Sequence, residues 1–359
     1  MALNYSDYLR LEELLALQGG VTGDERDLAA DELLFIVVHQ VDELWFKLVL
    51  RELARVRDVF GREIVDEQAI APAAAGLRRV VKAFELAAAH FSLIETMSPR
   101  DFLDFRHKLA PASGFQSPQF REIEILLGLG EEARTRVIAA SGMRDPLGPR
   151  SDLSGWARAK VERRIAEGTP LKQAIDRWLY RTPIDGSRPA QPDDEARVSA
   201  FVEAFLARHD GEVRAARDQA RASGVLDPAL ERQFEVEIAE ARRFLAEGGR
   251  AQRRTRAAAL FIELYRELPL LSWPREVLDL VVQLEQAFLV FRQRHARMVE
   301  RMIGRRIGTG GSDGVRYLDE TALHYRVFAD LWEVRKILVR AEAKPPIGNA
   351  DRYEYRAQA

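Results

Sequence analysis

Two histidines are the residues of this chain best suited to chemistry, because each stands among apolar residues at helical spacing. His295 lies in the segment 284–311, and an imidazole set among Phe and Met side chains can ligate iron while the apolar shell covers a macrocycle. The spacing predicts one apolar helix face with His295 at its middle. A core histidine that hydrogen-bonds to a carbonyl is the alternative interpretation. The apolar residues of this face recur three and four apart: Leu284, Phe288, Phe291, Met298 and Met302.

A glycine-rich stretch, 308–314, follows this helix and contains Thr309. Gly304 is expected to end the helix, and the later glycines permit close approach of the backbone to a ligand. A phosphate-binding loop is disfavoured, since such a loop follows a strand and carries a Lys-Ser/Thr pair. A flexible linker between helices is the alternative.

The second histidine, His39, lies in a stretch that is apolar on nearly all sides and therefore predicts a buried helix. Phe35 precedes it by four residues and shares its helix face. A buried neutral imidazole needs a hydrogen-bond partner, which is either a protein group or an N–H of a substrate. Asp42 or Glu43 is the protein group that the local sequence offers.

Phe102 and Arg106 form a further pair four residues apart. They place an aromatic face beside a guanidinium group, which suits a substrate carrying an aromatic ring and a carboxylate. The alternative is that Arg106 pairs with an acid such as Asp104 near a helix end.

Composition limits the class of protein. The 359 residues include 54 basic and 56 acidic side chains, so the net charge of -2 gives no reason to expect nucleic acid or an anionic membrane as a partner. The absence of Cys excludes disulfides, thiolate metal sites and cysteine nucleophiles. No signal peptide and no run long enough to span a bilayer is recognisable, so we expect a soluble, cytoplasmic protein.

The periodicity predicts an all-α protein, a helical bundle forming a single domain over residues 1–359. A charged helical insertion is expected at about 142–248, and residues 344–359 are expected to form a peripheral tail. The predicted helices are Tyr5–Leu17, Asp27–Phe60, Ala74–Met97, Pro99–Leu109, Pro118–Leu127, Glu131–Ala140, Leu153–Glu167, Leu171–Tyr180, Asp193–Ser223, Pro228–Glu247, Arg250–Leu268, Pro274–Gly304 and Thr321–Ala343.

Four motifs, in this order along the chain, resemble the tryptophan 2,3-dioxygenase family of haem-dependent oxygenases. The opening YSDYL at residues 5–9 fits the same family, and the resemblance is weakest across the charged middle. The motifs are HQVDELWFK from His39, DFRHKLAPASGFQSPQFR from Asp104, RHARMVERMIG around His295 and GTGGSDG from Gly308.

The resemblance implies a role for each matching position. His295 matches the proximal ligand of the iron of haem b, and His39 matches the distal histidine that hydrogen-bonds to the indole N–H. The family also implies a homotetramer. The other implied site residues are Phe35 and Phe102 at the indole, Arg106 and Thr309 at the substrate's carboxylate and amino group, Ser113 between haem and substrate, and Tyr5, Tyr8 and Leu9, which complete a neighbouring subunit's pocket.

The implied reaction is the dioxygenation of L-tryptophan, or of a close indole analogue, at the C2–C3 bond. O2 is the co-substrate, and the product is N-formylkynurenine of the kynurenine pathway. We expect His39 to orient the indole rather than to remove its proton, because an indole N–H is far too weak an acid for a neutral imidazole.

Three positions depart from the family pattern, namely Asp42, Pro118 and Asp313. Carboxylates close to the pocket bear on which substrate binds and how oxygen is delivered, and Asp42 is expected to raise the basicity of His39. The alternative that this chain is a monooxygenase of the same family, which inserts one oxygen atom to give a 2-oxindole, therefore stays open. A haem carrier or sensor without turnover and a helical scaffold without cofactor are further alternatives, although an amino-acid clamp at Arg106 and Thr309 argues against the carrier.

Overall fold

The protein is all-α, as the sequence predicts. The computed structural model describes residues 3–141, 153–304, 306 and 314–355, and these form fifteen α-helices and no β-strand. No helix among the described residues combines the length and the apolar character that crossing a membrane would need. The helices are α1 Tyr5–Leu9, α2 Leu11–Leu14, α3 Glu32–Phe60, α4 Glu67–Ile94, α5 Pro99–Leu109, α6 Pro118–Leu127, α7 Glu131–Ser141, α8 Gly155–Ala166, α9 Leu171–Arg181, α10 Asp194–Ala222, α11 Pro228–Ala246, α12 Arg250–Leu264, α13 Ser272–Ile303, α14 Gly314–His324 and α15 Ala329–Lys336.

The chain divides into two compact units. Unit 1 is formed by Met1–Ala54, Arg78–Gly168 and Leu284–Val327, and it contains both candidate histidines. Unit 2 is formed by Arg55–Leu77, Thr169–Gln283 and Phe328–Ala359. The described part of the predicted insertion is shared between the units, and the single-domain interpretation stays a prediction.

An aromatic cluster forms the centre of unit 1. Its five phenylalanine rings come from four helices and lie 5.0 to 6.4 Å apart between centroids. Burying each ring stabilises the fold by about 1.5–3 kcal/mol, so the cluster holds α3, α4, α6 and α13 together. The five are Phe46, Phe84, Phe120, Phe288 and Phe291.

The helices that carry the candidate residues begin and end at recognisable signals. Ser98 caps α5 by accepting a hydrogen bond from the N–H of Asp101 at 3.2 Å, and Ser117 caps α6 in the same way. Pro118 occupies the first turn of α6, where its missing N–H costs nothing, so this departure from the family pattern starts a helix. Helix α13 ends at Ile303, and Gly304 follows it with a φ of 61° in the left-handed region, as predicted.

Several predicted helix boundaries are wrong. The predicted first helix is divided at Arg10, which adopts φ 53°, and α3 begins at Glu32 rather than Asp27. The predicted helix Thr321–Ala343 is divided between α14 and α15, because the N–H of Val327 donates a hydrogen bond to the carboxylate of Glu285 instead of continuing the helix. Tertiary contacts override local helix propensity at this break.

In unit 2 a buried ion pair organises the loop after α9. Arg254 of α12 binds the carboxylate of Asp194 through Nε at 2.9 Å and through a second nitrogen at 3.0 Å. The same guanidinium donates hydrogen bonds to the carbonyls of Tyr180, Thr182 and Ser187. The guanidinium thus donates to a carboxylate and to three carbonyls at once. These hydrogen bonds offset the main cost of burying its charge.

The tail is held more firmly than the sequence predicts. The hydroxyl of Tyr265 donates to the carbonyl of Pro345 at 2.6 Å, and the N–H of Asn349 donates to the carboxylate of Asp185 at 2.8 Å. Tyr353 is buried, and its hydroxyl donates to the carbonyl of Pro183 at 3.1 Å. The described tail residues therefore belong to the packed structure of unit 2.

Candidate active site

One wall of the candidate site is the face of α3 that carries Phe35 and His39. Nδ1 of His39 donates a hydrogen bond to the backbone carbonyl of Phe35 at 2.7 Å, and the two rings lie 4.1 Å apart between centroids. Because this bond keeps the proton on Nδ1, Nε2 carries a lone pair and is an acceptor. Burial lowers the pKa of His39, while the Phe35 carbonyl and the carboxylate of Glu43 oppose the shift. The imidazole is therefore neutral at pH 7.

Helix α5 extends this wall with Phe102 and Arg106. The ring of Phe102 lies 5.9 Å from that of Phe35, and both pack against the fully buried ring of Phe105 at 5.4 and 5.6 Å. Lys108, at the end of α5, binds the carboxylate of Glu32 at 2.7 Å. This bond ties α5 to the start of α3, so that the guanidinium of Arg106 is held on the same side as His39.

The loop between α5 and α6 brings Ser113 to the site. Its hydroxyl caps the short 3-10 helix Gly114–Gln116, and the side chain of Gln116 accepts a hydrogen bond from the N–H of Ser113 at 3.1 Å. At the start of α6, Gln119 donates two hydrogen bonds to Glu43 of α3, at 2.7 and 2.8 Å. The loop is thus fixed at both ends, which gives Ser113 a defined position.

The opposite wall is α13, which presents His295. The ring of Phe91 on α4 stacks on the imidazole at 5.2 Å with an interplanar angle of 7°. Within the described residues neither ring nitrogen of His295 takes part in a hydrogen bond. Burial, followed by the electrostatic effects of His39 and Arg292, lowers the pKa of His295 to about 3. His295 is a neutral imidazole with a lone pair, which is the form that ligates a metal.

Both imidazoles line one cavity of about 340 Å³ within unit 1. Its walls are mainly apolar, with a few polar groups that converge on the space, which is the usual composition of a small-molecule site. The side chains with hydrogen-bonding or charged groups are His39, Arg106, Ser113 and His295, and the remaining lining residues are Phe35, Ile94, Phe102, Leu109, Ala112, Gly114, Phe115, Met298, Val299, Met302, Ile303, Gly314 and Leu318.

The structure therefore brings together six of the ten residues that the sequence assigns to the site: Phe35, His39, Phe102, Arg106, Ser113 and His295. Tyr5, Tyr8 and Leu9 lie on α1, are exposed, and do not line the cavity of their own chain. Thr309 lies outside the described residues, as does the departure at Asp313.

Several residues of the site were not assigned from the sequence. Phe91 stacks on His295 from another helix, and Phe105 supports both Phe35 and Phe102. Phe115 was part of a motif but had no role, and Leu318 stands in a region where the predicted helix had not yet begun. Only the apolar character of these positions signalled that they would be buried.

The carboxylate that acts on His39 is Glu43 rather than the expected Asp42. Asp42 is buried, and its Oδ1 lies 3.5 Å from Nδ1 of His90 on α4. Burial, and secondarily the charge of Glu43, raises the pKa of Asp42 to about 7. The departure from the family pattern at this position therefore concerns the packing of α3 on α4.

Comparison with known proteins gives matches over most of the chain. The sequence model of a family described as tryptophan 2,3-dioxygenase matches residues 1–338. A tryptophan 2,3-dioxygenase of Sorangium cellulosum is 48% identical over 99% of this chain and 88% of its own length. Tryptophan 2,3-dioxygenase 2 of Ralstonia nicotianae is 49% identical over 99% of both chains. A tryptophan 2,3-dioxygenase-like protein of Xanthomonas campestris is 46% identical over 72% of this chain and 98% of its own.

Proposed function

The chain belongs to the tryptophan 2,3-dioxygenase family, and on that premise we propose that it is an oxygenase that uses haem b and O2 to open the indole ring of L-tryptophan. In this reaction the C2–C3 bond of the indole breaks and both atoms of O2 enter the product, N-formylkynurenine. The observation that carries the proposal is that two neutral imidazoles, in different hydrogen-bonding states, line one apolar cavity.

The residues around His295 fit a haem. The imidazole offers a lone pair at pH 7, and Met298 and Met302 continue the same apolar helix face along the cavity. The parallel ring of Phe91 limits how the imidazole can rotate. When bound, haem supplies the activation of O2 that amino-acid side chains lack.

The opposite wall fits the substrate. Nε2 of His39 accepts the indole N–H, since Nδ1 already donates to the backbone. Phe35 and Phe102 cover the faces of the indole, and Arg106 binds the carboxylate through two parallel hydrogen bonds. Ser113, which lines the same cavity, would lie between the haem and the substrate, and Thr309 would contribute to the binding of the amino group. His39 orients the ring and does not remove its proton, because the N–H is too weak an acid.

The proposal includes assembly into a homotetramer in which α1 of one subunit completes the pocket of another. The exposure of this helix supports it, because the side chains of Tyr5 and Tyr8 are each 74% exposed and Leu9 is 42% exposed. Large apolar side chains presented together on one short segment are commonly covered by a partner. The cytoplasmic location expected from the sequence stays a prediction.

Turnover under labelled oxygen tests the proposal. The protein is reconstituted with haem, reduced, and incubated with L-tryptophan under ¹⁸O₂, and the product is analysed by mass spectrometry. Two labelled atoms in N-formylkynurenine are expected. One labelled atom in a 2-oxindole would show that the protein is a monooxygenase and not a dioxygenase. A reconstituted sample with no Soret absorption would contradict the proposal that the protein binds haem.

A further inference from the structure

A buried ionic cluster lies within unit 1 on the helix that carries His295, outside the cavity lining. Arg292 of α13 is 1% exposed and forms an ion pair with Glu124 of α6. Glu124 also pairs with Arg121, its neighbour on α6, at 2.7 Å. The hydroxyl of Tyr317 accepts a hydrogen bond from the same Arg121 at 3.2 Å. One carboxylate therefore serves two guanidinium groups in the interior.

The guanidinium of Arg292 is held in place by rings as well as by its ion pair. Its central carbon lies 4.4 Å from the centroid of Phe288, 4.7 Å from that of Tyr325 and 5.1 Å from that of Phe120. Cation–π contacts of this kind are strongest when they are desolvated. Three rings and a carboxylate thus fix the position of the charge relative to α13.

The cluster keeps a net positive charge. Arg121 and Arg292 contribute two positive charges, and Glu124 contributes one negative charge. Burial raises the pKa of Tyr325, so its hydroxyl stays neutral and adds no further negative charge. A buried ionic group of this kind is weak evidence for stability, since well-packed apolar residues usually serve as well. A role in the neighbouring site gives a physical reason for it.

That site is close. Arg292 precedes His295 by three residues, so the two side chains leave neighbouring positions on one helix surface. Packed rings separate them, since the ring of Phe120 lies 5.1 Å from the guanidinium and 5.6 Å from the ring of Phe291, which in turn lies 6.2 Å from the imidazole of His295. The field of the charge therefore acts on the imidazole across apolar side chains. In a low-dielectric interior such a field is little screened.

We propose that Arg292 is a positioning residue for His295 and that its buried charge favours the ferrous over the ferric state of the iron held there, with Glu124 moderating the effect. This inference rests on the proposed function. A nearby positive charge stabilises the less positive oxidation state, and the reduction potential of a haem depends on such surroundings. Ferrous iron is the state that binds O2, so the cluster keeps the enzyme ready for its co-substrate.

The midpoint potential of the ferric/ferrous couple, measured on the holoenzyme by spectroelectrochemistry, tests the sign of the effect. Arg292→Met removes the positive charge at similar length and is expected to lower the potential. Glu124→Gln removes the negative charge and is expected to raise it. Arg292→Lys keeps the charge and is expected to return the potential towards the wild-type value.

Glu122→Gln is the matched control. Glu122 stands on the same helix α6 and is buried to a similar degree, but it pairs with Lys160 and Arg164 of α8. Its substitution is expected to leave the potential unchanged, because these partners belong to a different face of α6.

Opposite shifts for the two members of one ion pair support the proposal. A purely structural cluster would move the potential in one direction for both variants, or not at all, and either result would overturn it. If Arg292→Met does not fold, Glu124→Gln still decides the sign, with Glu122→Gln as its control. A wild-type holoenzyme that opens the indole ring while these shifts fail would remove this inference and leave the proposed function intact.

Discussion

The wall formed by α3 and α5 and the wall formed by α13 each present one imidazole to the same cavity, but they prepare it differently. Nδ1–H of His39 donates a hydrogen bond to the carbonyl of Phe35 on its own helix. His295 has no hydrogen bond within the described residues and lies parallel to the ring of Phe91. The backbone bond makes His39 a fixed acceptor, whereas the aromatic stack leaves His295 with a lone pair for a metal. Burial lowers the pKa of both imidazoles, so the neighbours of each histidine, rather than its burial, decide its role.

Replacing the imidazole of the α13 wall should have the largest effect. His295→Ala removes the proposed protein ligand of the iron, so we expect haem occupancy and the Soret band to be lost. His39→Ala, on the other wall, is the matched control and is expected to retain the band. Equal haem occupancy in the two variants would contradict the assignment of the ligand.

Removing the cation of the α5 wall should have the next largest effect. Arg106→Leu is expected to keep the Soret band but to weaken the binding of L-tryptophan by roughly 10- to 150-fold, since hydrogen bonds to charged groups contribute about 1.5–3 kcal/mol. Tryptamine, which lacks the carboxylate, provides the control ligand, and its affinity should change little. Comparable losses for both ligands would show that the substitution disturbs the pocket as a whole. Spectral titration of the holoenzyme measures both affinities.

Truncating the acceptor of the α3 wall should have a smaller effect. His39→Ala is expected to weaken L-tryptophan binding by roughly 2- to 10-fold, the value of one neutral hydrogen bond of about 0.5–1.5 kcal/mol. The test is the ratio of the affinities for L-tryptophan and 1-methyl-L-tryptophan, which cannot donate from its ring nitrogen. The ratio should fall in the variant. An unchanged ratio would mean that His39 does not accept the indole N–H.

The smallest expected effect is that of mild acid on the α3 wall. Neutral His39 is the acceptor, and its lowered pKa keeps it neutral at pH values where an ordinary imidazole would be half protonated. The affinity for L-tryptophan should therefore change by less than about twofold between pH 7.5 and pH 6.5, the ordinary pKa of histidine.

Glu43→Gln sharpens this test. It removes the carboxylate that raises the pKa of His39, so the range of constant affinity should extend to lower pH. A variant whose affinity begins to fall at a higher pH than that of the wild type would contradict the proposed role of Glu43.

The sequence predicted the helices and the central residues of the site because both depend on local periodicity. The apolar face of α13 is an example, since Leu284, Phe288 and Met302 are buried around His295 as their spacing indicates. The same reasoning, joined to the family resemblance, led to Phe35, His39 and Arg106. For each of these residues, the sequence signal lies within a few turns of the helix that carries it.

The features that the sequence did not predict depend on partners far along the chain. Arg292 pairs with Glu124 across 168 residues, and the ring on His295 comes from Phe91 on another helix. The division of the predicted last helix depends on Glu285, which binds the N–H of Val327. No pattern within α14 or α15 indicates that bond. A prediction based on helix propensity therefore continued one helix through the break.

The anchoring of the tail has a practical consequence for handling the protein. The family match ends at residue 338, which invites trimming the chain there. Trimming there would remove Pro345 and Asn349, which are hydrogen-bond partners of the Tyr265 hydroxyl and the Asp185 carboxylate. Each lost hydrogen bond costs about 0.5–1.5 kcal/mol, and the buried ring of Tyr353 would be lost as well, which together is a large share of the stability of a typical domain. A purification tag is better joined after residue 359 than in place of these residues.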